Sequence, residues 1–265
     1  MDDDRATAIE GARAYEDLHV NALFRQWAKP VLDAAAVASG DRVLDVACGT
    51  GVVARQALGR VGTTGSVTGV DIGVGMLTVA ADIEPGVTWT EADAGRLPFA
   101  DDEFDAVVSQ FGLMFFPDRV RAIREMLRCV KPGRRVVVAV WESLDRSEAY
   151  PIAVGLLQQR AGPAAADALR APFVLGDTDE LGGLFGQAGA SSVSIDTRTG
   201  TARFSSIRSM VEADLRGWLP VMGVFLDDNL IESILADAED ALSEYATDDG
   251  TMTFDAPAHI VTAQT

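Results

Sequence analysis

The chain has 265 residues and a formal net charge of −18 at pH 7, which argues against a nucleic-acid partner because phosphate backbones are bound by clustered Lys and Arg. Apolar residues make up 48% and charged residues 23%, so the length and composition favour one α/β domain with a substantial core over residues 1–265. With no apolar signal segment, no apolar run long enough to cross a bilayer, and too few cysteines for a disulfide framework or a thiolate metal site, we expect a cytoplasmic protein without a membrane partner or a metal.

The first predicted element is a helical segment over residues 12–38, which Pro30 divides into two helices. Tyr15 and Leu23 belong to an apolar stripe on the first of these helices, and we assign both to the core. His19 follows Tyr15 by one helical turn, so the two side chains share a face of the helix.

Strands and helices then alternate from Arg42 to Trp141, which predicts a parallel sheet covered by helices. The intervening helices start near Val52, Gly75 and Asp118. The predicted strands cover residues 42–47, 66–72, 87–93, 104–110 and 134–141, followed later in the chain by 192–200 and 258–263.

Two further helical segments, 145–170 and 205–246, leave the predicted sheet at the carboxyl ends of its fifth and sixth strands. Ligands of open parallel sheets bind outside that edge, so we expect these segments and 12–38 to meet there as a cap around an apolar pocket of a few hundred Å³. Asp227 or Asp228 is the predicted N-cap of the last helix. The predicted core is 39–144, 176–204 and 250–265, and the predicted cap is 12–38, 145–175 and 205–249. The predicted pocket lining is Met210, Leu215, Trp218, Met222 and Phe225.

The stretch VLDVACGTGVVAR, residues 43–55, predicts a strand, a glycine turn and a helix N-terminus. Gly49 and Gly51 permit a tight bend and close approach of a ligand, and the helix N-terminus favours negative charge. Asp71 ends the second strand, where a carboxylate holds ribose hydroxyls in nucleotide-binding folds. By this motif alone, NAD and S-adenosylmethionine are equally good ligands.

Other strand ends favour S-adenosylmethionine. Asp45, before the turn, suits a ligand ammonium group and would repel a pyrophosphate. Asp93 ends the third predicted strand and offers an acceptor to an adenine amino group. The stretches SQFGLMFFPD and LRCVKPGRRVVVAVW follow the fourth strand and introduce the fifth. No Tyr is followed by Lys four residues later, a pair common in nicotinamide oxidoreductases.

In this order over residues 42–141, these motifs resemble the class I S-adenosylmethionine-dependent methyltransferases, and they are most similar to the ubiquinone/menaquinone-biosynthesis C-methyltransferases. The resemblance implies an α/β, Rossmann-like sheet of seven strands in the order 3-2-1-4-5-7-6, with the last strand antiparallel and helical cap insertions. It also implies methyl transfer to a small metabolite, and the apolar pocket expected under the cap favours an apolar or aromatic one. The cofactor residues that it implies are Asp45, Ala47, Gly49 and Gly51 around the methionine, Asp71 at the ribose, Ile72, Met76, Asp93 and Ala94 at the adenine, and Gln110 and Phe111 beside the sulfonium.

Methyl transfer from a sulfonium is an in-line displacement, so an enzyme contributes chiefly alignment and desolvation. An acceptor O–H or C–H also needs a base, for which His19 is the predicted catalytic residue and His259 a second candidate. The residues leave O-, N- and C-methylation open. An NAD(P)-dependent oxidoreductase and a non-catalytic S-adenosylmethionine-binding protein stay open as alternative functions.

Overall fold

The computed structural model describes residues 2–265, with side chains from Arg5 onward, so Met1 of the predicted domain lies outside the described residues. In the described part of the chain, the strands form one seven-stranded sheet in the order β3-β2-β1-β4-β5-β7-β6. The strands are β1 Arg42–Val46, β2 Ser66–Asp71, β3 Thr88–Glu91, β4 Phe104–Gln110, β5 Val130–Trp141, β6 Ser192–Phe204 and β7 Met252–Gln264.

Neighbouring strands from β3 to β5 pair in parallel, and β7 pairs antiparallel with both β5 and β6. The predicted fold class, strand order and antiparallel last strand are therefore confirmed. The last two strands are longer than predicted, because they pair without interruption from Ser192 opposite Gln264 to Phe204 opposite Met252. β5 starts at Val130, directly after a helix, rather than at Arg134.

The α-helices are α1 Asp2–Tyr15, α2 Arg25–Ala34, α3 Val52–Val61, α4 Val74–Ile83, α5 Arg119–Cys129, α6 Tyr150–Arg160, α7 Pro163–Arg170, α8 Thr178–Ala188, α9 Ile207–Glu212, α10 Leu219–Val221 and α11 Asp228–Ala241. Two π-helical segments, Glu16–Phe24 and Ala213–Trp218, join α1 to α2 and α9 to α10. Single 3₁₀ turns are Gly62–Thr64, Leu113–Phe115, Leu144–Arg146, Ala171–Phe173 and Ser243–Tyr245. No helix within residues 2–265 is long and apolar enough to cross a membrane.

Helix starts agree with the sequence signals where a cap is present. Asp118 precedes α5 and accepts a hydrogen bond from Arg121 N at 2.9 Å. Asp227, one of the two predicted caps of α11, accepts one from Leu230 N at 3.0 Å. Each carboxylate satisfies a helix N–H that has no partner within its own helix.

Pro30 does not separate two helices, and that prediction was wrong. It lies inside α2, which continues directly from the π-helical segment Glu16–Phe24. An interior proline costs about 3 kcal/mol because it removes a hydrogen bond and crowds the preceding turn. The buried side chains of α2 offset that cost through their contacts with the sheet: Trp27, Ala28, Val31 and Leu32.

Candidate functional site

The turn after β1 has the strained backbone that its glycines permit. The φ angles are +55° at Ala47, +55° at Gly49 and +88° at Gly51. A Cβ atom at Gly51 would lie 2.3 Å from Cη2 of Trp89, a distance that no real side chain tolerates. The second glycine of the motif is therefore required by both conformation and packing, and α3 starts directly after it.

Asp45 is buried below this turn with 1% of its surface exposed. Its Oδ2 accepts a hydrogen bond from Ala54 N at 3.0 Å. Its Oδ1 is buried and has no hydrogen-bond partner among the described residues. Burial raises the pKa of this carboxyl to about 8, and the nearby Asp71 acts in the same direction. A cation beside Oδ1 would restore the charged form.

Asp71, the predicted ribose ligand, holds the turn itself. Its Oδ2 accepts a hydrogen bond from Gly49 N and its Oδ1 accepts one from Gly73 N, both at 2.8 Å. Burial raises the pKa of Asp71, while these backbone hydrogen bonds oppose the shift. Each oxygen keeps a second acceptor lone pair for a ligand.

Tyr15 contacts the same turn, although the sequence pattern assigns it to the core. The Cβ position of Gly49 would be 3.8 Å from Cε1 of Tyr15 and 3.9 Å from its hydroxyl oxygen. Burial and then the carboxylates of Asp71, Glu16 and Asp45 raise the pKa of the phenol. The hydroxyl therefore stays protonated and offers a hydrogen-bond donor over the glycine turn.

A part-buried ion pair fixes the leading segment, residues 12–38, above the turn. Arg55 of α3 donates from Nη2 to Oε1 of Glu16 at 2.7 Å and from Nη1 to the carbonyl of Thr50 at 3.1 Å. The pair joins the first residue of the π-helical segment to the helix that follows the glycines. The position of Tyr15 over Gly49 follows from this attachment.

The predicted adenine residues lie after β2 and β3. Ile72 exposes 74% of its surface, and Met76 and Ala94 are half-buried. Asp93 is exposed, and its Oδ1 accepts a hydrogen bond from Gly95 N at 2.8 Å. An exposed isoleucine beside a polar strand end is a suitable surface for the face of an apolar ring.

Gln110 and Phe111 lie at the end of β4, where the leading segment meets the sheet. Gln110 donates from Nε2 to the carbonyl of Phe24 at 3.1 Å. Phe111 has φ +57° and stacks on Trp141. Trp27 contacts both of these rings edge-on, with centroids 6.1 Å away. Gln110 therefore anchors the leading segment, and Phe111 is part of an aromatic wall.

A cavity of about 70 Å³ lies at this edge of the sheet. All three predicted cap segments contribute to its walls, so their expected convergence is confirmed. The cavity is smaller than the few hundred Å³ predicted, because aromatic side chains from the leading segment and the strand ends occupy the space. Its lining is Tyr15, His19, Leu23, Phe24, Phe111, Phe115, Trp141, Ser147, Tyr150, Leu169, Pro172, Phe173, Asp214, Trp218, Ala256 and Pro257.

Of the five predicted lining residues, Trp218 lies at the cavity and the other four do not. Met210 and Leu215 are fully buried in the packing of the cap, and Met222 is half-buried. Phe225 exposes 76% of its surface, since it lies in the loop before α11. A helical stripe identifies which face is buried but does not show which neighbour covers each residue.

Two polar side chains meet inside the cavity. Nε2 of His19 and Oδ1 of Asp214 are 3.5 Å apart, and both residues are 4% exposed. Asp214 was missed from the sequence, although it carried a signal. It follows Met210 by four residues and Val211 by three, so its carboxylate interrupts an apolar helical stripe.

His259, the second candidate base, is not among the residues that line this cavity. It lies in the middle of β7 and is buried. Thr197 Oγ1 is 2.8 Å from its Nδ1, and its Nε2 donates to the carbonyl of Gly176 at 3.0 Å. Both ring nitrogens are thus used in packing the edge of the sheet.

The sequence matches the profile of the ubiE/COQ5 methyltransferase family over residues 15–153, just over half of the chain. The chain is 41% identical over 128 residues to the ubiquinone/menaquinone biosynthesis C-methyltransferase UbiE of Pseudomonas aeruginosa, which covers 46% of this chain and 50% of that protein. It is 42% identical over 137 residues to UbiE of Chromobacterium violaceum, which covers 49% of this chain and 56% of that protein. The chain spans about half the length of these curated relatives.

Solved structures share the fold at lower identity. Phosphoethanolamine N-methyltransferase 2 of Haemonchus contortus, in complex with S-adenosyl-L-methionine, superposes with a TM-score of 0.60 at 18% identity, covering 97% of this chain and 57% of that one. YcgJ of Bacillus subtilis superposes with a TM-score of 0.58 at 17% identity, covering 90% of this chain and 98% of that one. The [4+2]-cyclase SpnF superposes with a TM-score of 0.55 at 19% identity, covering 91% of this chain and 81% of that one. Proteins named for different activities share this architecture, so the fold alone does not fix the reaction.

Proposed function

Because the chain belongs to the ubiE/COQ5 methyltransferase family, we propose that it transfers the methyl group of S-adenosylmethionine to a small-molecule acceptor. One observation carries the proposal: Asp45, buried under the glycine turn, has an Oδ1 atom without a hydrogen-bond partner in the described part of the chain. An unpaired buried carboxylate is costly. The ammonium group of S-adenosylmethionine would pair with it, whereas the pyrophosphate of NAD would be repelled.

The proposed cofactor site follows the ends of β1 to β4. The donor set fits the group: a buried carboxylate would pair with the ammonium, a second carboxylate keeps free lone pairs for ribose hydroxyls, and an exposed isoleucine would offer an apolar face to the adenine. The proposed contacts are Asp45, Ala47, Gly49 and Gly51 with the methionine part, Asp71 with the ribose, Ile72, Met76, Asp93 and Ala94 with the adenine, and Gln110 and Phe111 beside the sulfonium. We add Tyr15, whose protonated hydroxyl lies over Gly49.

When bound, the cofactor supplies an electrophilic methyl group and leaves as a neutral thioether. The protein's part is to align the acceptor with that methyl group and to exclude water. Phe111 and Trp141 form a flat aromatic wall at the strand ends, and Phe24 packs against both from the leading segment. Such a wall aligns a planar acceptor and favours an apolar or aromatic one.

We assign residues 12–38, 145–175 and 205–249 to a cap, and 39–144, 176–204 and 250–265 to the catalytic core. The cavity of about 70 Å³ is small beside the roughly 300–1,000 Å³ of common ligand pockets. Acceptor binding therefore requires side chains of the cap to move. The half-buried Phe24, which the π-helical segment presents to the cavity, is the first candidate for that movement.

Calorimetric titration tests the cofactor assignment. S-adenosylmethionine and S-adenosylhomocysteine are expected to bind, and NADH is not. Binding of NADH with no response to either sulfur ligand would overturn the proposal in favour of an oxidoreductase. Transfer itself is tested by incubating the protein and cofactor with a metabolite extract and searching by mass spectrometry for products heavier by one CH₂ unit. Asp45→Asn is the matched variant for the binding titration. It preserves the shape of the side chain and removes its charge, so it should lose affinity for S-adenosylmethionine.

A further inference from the structure

We propose that His19 and Asp214 form a proton-accepting pair in the acceptor cavity, in which the His19 imidazole is the base for an acceptor that carries an acidic hydroxyl and Asp214 is its positioning residue. This inference deepens the proposed function and rests on it. It concerns the step that alignment alone does not provide, namely removal of the acceptor's proton.

The pair has a defined polarity. An ionised Asp214 carboxylate can only accept, so the Nε2 atom of His19, 3.5 Å from Oδ1, must carry the imidazole proton. The Nδ1 atom is then the lone-pair acceptor. Nδ1 is buried and has no hydrogen-bond partner within residues 2–265, and neither has Oδ2 of Asp214. Both residues line the cavity, and the proposal requires an acceptor bound there to reach Nδ1, which is buried in the structure.

The two residues come from distant parts of the chain, and both lie on π-helical segments. His19 belongs to Glu16–Phe24 and Asp214 to Ala213–Trp218. π-helical turns are rare and occur frequently at functional sites. A Cβ atom at Gly217 would lie 3.3 Å from Cε1 of His19, so glycine at this position lets the ring approach the second segment closely.

Among the described groups around the pair, only His19 stabilises the anionic form of Asp214. Burial raises the pKa of Asp214, and the hydrogen bond from His19 opposes that shift. Tyr15 stacks on the His19 ring, with centroids 5.8 Å apart, and Tyr150 of α6 lines the same cavity as Asp214. Burial raises the pKa of both phenols, so neither competes as a base. Of the groups around the pair, the imidazole is the one with an unpartnered lone-pair nitrogen in the proposed tautomer.

The proposed reaction transfers one proton to His19 and one methyl group to the acceptor. The acceptor O–H proton passes to Nδ1 of His19 and forms an imidazolium that Asp214 stabilises through Nε2–H. The acceptor oxygen forms its bond to the methyl carbon while the sulfur–methyl bond breaks and its electron pair stays on sulfur. The products are the methyl ether, S-adenosylhomocysteine and a protonated His19, which releases its proton to solvent when the products leave.

The first test reads the imidazole directly and needs no cofactor or acceptor. The chain contains only two histidines, so ¹⁵N-histidine NMR gives two ring systems, which a His259→Gln variant assigns. We expect His19 in the Nε2–H form. In Asp214→Asn and Asp214→Leu the population of that form should fall, because the anionic acceptor is gone. An Nδ1–H form in the unmodified protein, or unchanged ring signals in both variants, would overturn the pairing.

The second test uses 4-nitrophenol, whose ionised form absorbs at longer wavelength. At a pH where the free probe is mostly undissociated, binding to the unmodified protein should produce the phenolate band. His19→Gln and Asp214→Asn should each reduce the ionised fraction of bound probe by about tenfold, the effect of one pKa unit. If His19 and Asp214 had only a structural role, the two variants would bind less 4-nitrophenol, but the bound fraction would have the same absorption spectrum as in the unmodified protein. No phenolate band with the unmodified protein contradicts the proposal.

Calorimetry with S-adenosylmethionine separates this inference from the function on which it rests. If the cofactor does not bind while the probe is ionised, the methyltransferase proposal fails and the proton-accepting pair stands. If the cofactor binds and the probe is not ionised, the pair fails and the methyltransferase proposal stands. Circular dichroism of each variant controls for folding, and the proposal requires the spectrum of the unmodified protein to be retained in at least one of the Asp214 variants. If the unmodified protein binds S-adenosylhomocysteine, that affinity is a second control.

Discussion

Phe111 and Trp141 stack with their ring centroids 3.9 Å apart and their planes 8° from parallel. Phe111 directly follows β4, and Trp141 is the last residue of β5. These two strands are adjacent and parallel, so their carboxyl ends lie at the same edge of the sheet. Phe24 and Trp27 of the leading segment contact both rings, with centroids 5.6 to 6.1 Å away. One aromatic cluster therefore attaches the leading segment to the strand ends and forms a wall of the cavity.

Removing one ring of this stack should affect both stability and binding. Phe111→Ala is expected to lower the free energy of unfolding by about 3–5 kcal/mol and to weaken S-adenosylmethionine binding by about tenfold or more, equivalent to 1.4 kcal/mol. Phe104→Ala is the matched control, since Phe104 is equally buried at the other end of β4, away from the cavity. Urea unfolding should show comparable losses for both variants. Equal losses of affinity in calorimetry would contradict a local role for Phe111.

The buried carboxyl of Asp45 makes stability depend on pH in a defined direction. Its pKa is about 8 in the folded protein, against 3.8 for an unperturbed group. Between these values the folded state binds a proton that the unfolded state releases, so this group's contribution to stability falls as pH rises. Asparagine does not titrate. The stability gained in Asp45→Asn should therefore increase from about pH 4 to about pH 8 and then level off, by at most about 1.4 kcal/mol per pH unit.

Urea unfolding of both proteins across this pH range checks the prediction, and a gain that is independent of pH would contradict it. The same variant should lose S-adenosylmethionine affinity by at least about tenfold, because a hydrogen bond to a charged group contributes roughly 1.5–3 kcal/mol. 5′-Methylthioadenosine lacks the amino-acid end and is the matched ligand. Its affinity should be unchanged in Asp45→Asn, and an equal loss for both ligands would place the ammonium elsewhere.

The sheet and the turn could be predicted from sequence because their signals are local. Asp45, Gly49 and Asp71 each stand at a strand end, and parallel strands bring such ends together without any further information. The meeting of His19 with Asp214, 195 residues later, has no such rule. It depends on how two helical segments cross, and a stripe of apolar residues does not specify that crossing.

The size of the cavity could not be predicted for a related reason. Apolar side chains of the same stripe can line a pocket or fill it, and the choice depends on rotamers and on the partner element. Tyr15 illustrates the difficulty, since its helical spacing with Leu23 indicates the core, against which it packs, but does not show that its ring also lies over Gly49. The ion pair between Arg55 and Glu16 that fixes this position joins residues far apart in the sequence.

Asp71 is predicted to stabilise the fold of the ligand-free protein as well as to bind the ligand. The sequence alone suggests a ligand group whose removal leaves the melting temperature nearly unchanged, but the structure shows that Asp71 accepts hydrogen bonds from Gly49 N and Gly73 N. Asp71→Ala should therefore lower the free energy of unfolding by about 1–3 kcal/mol, the sum of two such bonds. Asp71→Asn keeps one acceptor oxygen and should lose less.

Asp118→Ala is the control for Asp71. It also removes a carboxylate that accepts a backbone N–H, at the start of α5, and should cost about 1 kcal/mol. Thermal unfolding reports stability and calorimetry reports affinity for S-adenosylhomocysteine. Only the Asp71 variants should lose affinity. An Asp71→Ala protein with unchanged melting temperature would show that the turn holds its conformation without these bonds.

Glycine is required at position 51 for two reasons, backbone conformation and packing, which a double-mutant cycle separates. Its φ of +88° is strained for any other residue, at roughly 1–2 kcal/mol, and a Cβ would clash with Trp89. Gly51→Ala should therefore destabilise the protein by more than the strain alone. Combining it with Trp89→Leu should restore the part due to the clash, so the double-mutant cycle should show a coupling of at least about 0.5 kcal/mol. Gly59→Ala, inside α3 with no atom within 4 Å of its Cβ position, should stabilise the protein by about 0.5–1 kcal/mol. Urea unfolding of all four variants measures these terms. Additive losses for Gly51→Ala and Trp89→Leu would mean that backbone conformation alone requires the glycine, and that the indole does not limit the space over the turn.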